Sequence, residues 1–148
     1  MLEIADKSGV DQNYGKKIEM LVAILFALTA LVTGLHNVYL LMDVVNGAPI
    51  NLLNCIALFG SAMLLVAAIL APGRLRVAAK TGLVGSLLLW GFYSTMIVIW
   101  FSMPFSALQE VRTFISFREY VPLTGMLLGP ILLAVSTGME LWAIKART

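Results

Sequence analysis

Four long apolar runs, separated by short polar breaks, set the pattern of this chain. They cover residues 18–42, 51–71, 81–103 and 121–143. A run of about 20 apolar residues is what an α-helix needs to cross the hydrocarbon core of a bilayer. The breaks carry helix-terminating chemistry. After the first run come Asn46, Gly47, Ala48 and Pro49; Gly47 suits a left-handed cap and Pro49 cannot continue a helix. Asn51 can cap the second run, and Pro72-Gly73 ends it. Pro104 closes the third run, and Pro122 falls in the first turn of the fourth. At 1.5 Å per residue the first run is about 37 Å long, more than the roughly 30 Å hydrocarbon core, so it should tilt or protrude.

Two stretches lie outside these runs. Residues 1–17 are polar and charged, with too little apolar surface to fold alone. Between the third and fourth runs, Phe105, Leu108, Val111 and Ile115 recur at helical spacing among Gln109, Glu110, Thr113 and Ser116. That pattern predicts a short amphipathic helix over about 105–118, lying in the headgroup layer. The expected fold is therefore an all-α integral membrane protein with four transmembrane helices. A polar N-terminal segment, 1–17, precedes a membrane domain, 18–148, and a short interfacial helix lies between helices 3 and 4.

Composition sharpens this reading. Of 148 residues, 60% are hydrophobic and 12% charged, with a mean hydropathy of +0.94. A soluble domain is about a quarter charged, so lipid must solvate much of this surface. The formal charge of +2 gives no reason to expect a nucleic-acid partner. One cysteine and one histidine exclude an intrachain disulfide and fall short of a four-ligand zinc site. Lys16 and Lys17 precede the first run as they would in a signal peptide, but that run is far longer than a signal core and reads as a retained span.

Basic residues set an expected orientation. Lys7, Lys16, Lys17, Arg74, Arg76, Lys80, Lys145 and Arg147 would share one side of the membrane, against Arg112 and Arg118 on the other. Both termini should then be cytoplasmic, in a plasma or inner membrane.

The first run carries the candidate chemistry. Thr29, Thr33 and Asn37 are spaced by four, and His36, Tyr39 and Asp43 by three and four, which makes one broad polar stripe on a helix. Lipid accepts such a stripe only at high cost, so it should face protein or water. His36 could ligate a haem-like or pigment cofactor, or pass protons to Asp43. It could equally make an ordinary interhelical hydrogen bond as a neutral imidazole. Asn51, Asn54 and Cys55, near the same end of the second run, are the expected partners. The sequence requires no cofactor and identifies none.

At the other end, Gly82 and Ser86 form a small-residue face on the third run, and Gly125 and Gly129 a G-x-x-x-G pair on the fourth; both are helix-packing devices. Glu140 lies about one turn inside the end of the fourth run. It reads as a boundary carboxylate paired with Ser136, Lys80 or Lys145, or else as an ion or proton site. No nucleotide-binding or metalloprotease motif occurs. With no catalytic constellation, the chain is expected to be a non-catalytic, self-associating or subunit-type component of a membrane assembly, with lipid and other membrane chains as partners. A holin-like pore former and a small-molecule-binding protein centred on His36 are the alternatives.

Overall fold

A computed structural model describes residues 3–45, 52–102 and 120–145, with side-chain surroundings for 14–38, 42, 52–99, 101–102 and 124–145. Among these residues there are four helices: α1 (Glu3–Val45), α2 (Leu52–Leu70), α3 (Leu75–Ser102) and α4 (Tyr120–Lys145). Each is long and apolar enough to cross a membrane, over Tyr14–Val38, Leu52–Leu70, Leu75–Ile99 and Thr124–Lys145. The expected interfacial helix at 105–118 lies outside the described residues.

α1 packs on α2 and α4, and α3 packs on the same two helices, so the four close a ring. Neighbours run antiparallel. Thr33 meets Ser61 while Glu19 meets Gly73, and Tyr93 meets Gly125 while Ser86 meets Glu140. The start of α1, the end of α4 and the α2–α3 turn therefore share one end of the bundle.

Two boundaries differ from the sequence reading. The polar segment 1–17 is helical from Glu3, as a continuous extension of α1; a formed span supplies the nucleus onto which further residues add cheaply. The basic stretch 74–80 reads as a loop by charge, yet α3 starts at Leu75. Leu75, Ala78 and Ala79 are buried while Arg76, Val77 and Lys80 are exposed, an amphipathic first turn built from good helix formers. The turn before it is compressed into Pro72-Gly73, with Gly73 at φ 94°, a conformation that glycine adopts without strain.

The interior has two apolar layers. Val22, Phe26, Ala67, Ala71, Ala78 and Ala143 are among the residues filling the end that holds the α2–α3 turn. Ala57, Leu64, Leu89, Phe92, Tyr93 and Leu133 fill the other. α2 and α3 approach closely at Gly60 and Gly85, where a Cβ on Gly85 would come within 2.7 Å of the Gly60 carbonyl. Pro130 sits inside α4 without ending it. Its missing N–H removes one helix hydrogen bond, which a packed helix tolerates.

Candidate functional site

The polar stripe of α1 divides into two sets with different partners. Thr29, Thr33 and Asn37 form a buried ladder along the helix. Thr29 Oγ1 donates to Leu25 O at 2.8 Å, Thr33 Oγ1 to Thr29 O at 2.7 Å, and Asn37 Nδ2 to Thr33 O at 2.7 Å. These bonds to the preceding turn satisfy the donors locally. Ser61 of α2 completes the set, its Oγ donating to Thr33 Oγ1 at 2.9 Å. Asn37 Oδ1 is buried and has no hydrogen-bond partner.

His36 belongs to the second set, and its partners come from α3 and α4. It is 4% exposed. Its ring lies nearly parallel to Tyr93, with centroids 6.1 Å apart, and meets Phe92 edge-on at 6.2 Å. The Tyr93 hydroxyl donates to Gly125 O at 3.3 Å and lies 3.5 Å from His36 Nδ1. The hydroxyl–Nδ1 contact runs in either direction according to the tautomer of the ring.

The glycines of α4 make this arrangement possible. A Cβ on Gly125 would fall 2.6 Å from His36 Cβ, and one on Gly129 would collide with the Tyr93 phenol. The G-x-x-x-G pair thus provides the recess for two rings.

The expected partner set on α2 is corrected. Asn54 is 8% exposed, but Cys55 is exposed and free. Successive residues on a helix are turned by about 100°, so an inward Asn54 sends Cys55 outward. Ser61, two turns deeper, takes the role expected of that cluster. The side-chain surroundings of Tyr39, Asp43 and Asn51 lie outside the described residues.

At the opposite end Glu140 bonds Ser136, one of the partners expected for it, from a buried and not a boundary position. Glu140 is fully buried, at 0% exposure. Its Oε1 accepts from Ser86 Oγ at 2.9 Å and Ser136 Oγ at 3.3 Å. Gly82 leaves room for the carboxyl, since a Cβ there would come within 2.7 Å of Oε1. One turn deeper, Trp90 Nε1 donates to Thr137 Oγ1 at 3.2 Å. His36 and Glu140 lie at opposite ends of the bundle and build no common site.

Sequence reasoning missed Tyr93 and Ser61 as partners, and it read Ser86 only as a packing residue. Tyr93 is one of several aromatics on its run. Only its proximity to His36 singles it out, and that depends on how α3 is rotated against α1.

Comparison of the chain with protein-family models, with curated proteins and with solved structures finds no match.

Proposed function

We propose that this chain is a non-catalytic component of a membrane assembly, which docks an apolar transmembrane helix against α1 and α2. The observation that carries this reading is an open apolar groove of about 630 Å³ on the outer flank of those two helices. Its lining mixes small residues, among them Ala27, Ala30, Gly34 and Ala62, with Leu31 and Leu65. It runs along α1 from Ile24 to Val38, about 21 Å at the rise of an α-helix. Small residues that let backbones approach, over most of the hydrocarbon thickness, are the geometry by which membrane helices associate.

The interior supports the same reading. Phe26, Leu64, Leu89, Phe92, Tyr93 and Leu133 are all fully buried and fill the space between the helices. A pore would have to be built between copies. The basic-residue asymmetry supports cytoplasmic termini in a plasma or inner membrane.

The groove gives a direct test. A Cβ on Gly34 would meet only Ser61 Cβ, at 3.8 Å, so Gly34→Ala leaves the bundle intact while Gly34→Ile fills the groove. In mild detergent the wild type should migrate as an oligomer or with a copurifying chain, and Gly34→Ile as a folded monomer. Cys55 is exposed and lies two helical turns before the groove residue Ala62, so it reports which: crosslinking between copies through Cys55 indicates self-association. A wild-type chain that is monomeric and alone across several mild detergents would overturn the reading.

A further inference from the structure

A buried carboxyl group among three helices is the least satisfied polar group at its end of the molecule. Glu140 Oε1 holds two serine hydroxyl donors. Oε2 is equally cut off from solvent and has no hydrogen-bond partner. No cationic side chain pairs with Glu140 among the described residues. The groups facing it are Gly82 and Ser86 of α3, Ser136 of its own helix, and Ala67 of α2 beside Gly82. By the antiparallel register, α1 contributes buried Val22 and Phe26 at that level. Lys16, Lys17, Arg74 and Arg76 at this end are exposed. Glu19 accepts from the Gly73 amide at the turn, and Lys80 and Lys145 are exposed.

An uncompensated charge in such surroundings costs several kcal/mol. Ionisable groups inside membranes mark proton and ion sites. Four hard oxygen atoms, one of them bare, match a hard cation. A single carboxylate balances a single positive charge. Among the described residues no group of three His, Cys, Asp or Glu comes together to hold a metal such as zinc.

We propose that Glu140, Ser86 and Ser136 form an intramembrane binding site for one monovalent cation, either a proton or Na⁺, taken up at Oε2. Gly82 keeps the site open, because any larger residue would push the carboxyl out of it. The site is independent of the α1–α2 groove.

The test uses the full chain in lipid nanodiscs. One arm measures ²²Na⁺ binding and the thermal unfolding midpoint as choline is replaced by Na⁺ at fixed pH. The other varies pH without Na⁺ and follows the infrared carbonyl band of a neutral carboxylic acid. A midpoint that rises with Na⁺, together with bound ²²Na⁺, identifies the metal ion. A carboxylic-acid band that disappears in Glu140→Gln, with no response to Na⁺, identifies the proton. Glu140→Gln should abolish whichever response the wild type shows. Ser86→Ala should weaken Na⁺ binding roughly tenfold by removing one oxygen from the site, and in the proton case should move the loss of the carboxylic-acid band to higher pH, because a donor to the ionised carboxyl is gone. Should Glu140→Gln fail to fold, Gly82→Ala reads the same site. Its Cβ need displace only the mobile end of Glu140, and it should blunt the response. Identical Na⁺ and pH behaviour of wild type and variants would overturn the proposal.

Discussion

The two ends of the bundle bury polar side chains in opposite ways. Around His36 the surroundings are ring against ring: Tyr93 stacks on the imidazole, Phe92 meets both, and Gly125 and Gly129 are hollowed to receive them. The polar atoms there point at each other, and the polar group is part of the packing. Around Glu140 the neighbours are small, namely Gly82, Ser86, Ser136 and Ala67. The carboxyl is held by hydroxyls on one oxygen and bare on the other. One end is organised by shape, the other by donors around a charge. The single histidine, His36, therefore sits in the more structural environment, and the less conspicuous Glu140 in the more chemical one.

That contrast can be broken by substitution. The largest effect is expected from Tyr93→Ala, which empties the centre of the His36 layer and should cost about 4 kcal/mol, read from unfolding in detergent or bicelles. A cost near that of a surface change would show that the layer is not a packed unit. Gly129→Leu attacks the same place from the other side. It drives a branched chain into the Tyr93 ring and should cost about 3 kcal/mol by overpacking, with its far-ultraviolet helicity retained.

His36→Ala should cost about 1 kcal/mol, as expected for interhelical hydrogen-bonded contact in a membrane. A double-mutant cycle of His36→Ala with Tyr93→Phe measures the coupling; no coupling would mean that the 3.5 Å approach of hydroxyl and Nδ1 carries no energy. The Thr33–Ser61 bond should be worth about 0.6 kcal/mol, since Thr33 also bonds its own helix, and Thr33→Val in the same unfolding assay checks it. At the Glu140 end the sign reverses. In Na⁺-free buffer Glu140→Gln should leave stability unchanged or raise it, because the amide oxygen still accepts from both serines and no charge has to be buried. A clear loss would mean that the carboxylate is structurally paired and the two ends are alike.

Much of this was legible in the chain. The positions of the proline and glycine breaks gave four helices; the bounds of α2 and α4 lie close to those expected, while α1 and α3 start earlier. The inward turn of Thr33, His36 and Asn37 follows from their polarity in an apolar run. The burial of Ser86 and Glu140 has the same cause, but a boundary position hid it: a carboxylate one turn from a helix end can as well reach solvent. Cys55 shows the limit in miniature. A thiol is apolar enough for lipid and polar enough for a cluster, so neighbouring Asn54 decided its direction.

Helix formation, span length and breaks depend on local composition, and the sequence by itself determined them. Which helix meets which, and at what rotation, it did not. Leu64 is fully buried and the adjacent Leu65 is 51% exposed, yet the two are chemically identical. In water such a difference is written in the hydrophobic pattern, because the exposed face must be polar. In a bilayer the lipid-facing and core-facing sides are both apolar. Only close steric fit, such as Gly129 against Tyr93 and Gly82 against Glu140, and the few polar groups that must find each other, fixed the rotation of each helix and so created both sites.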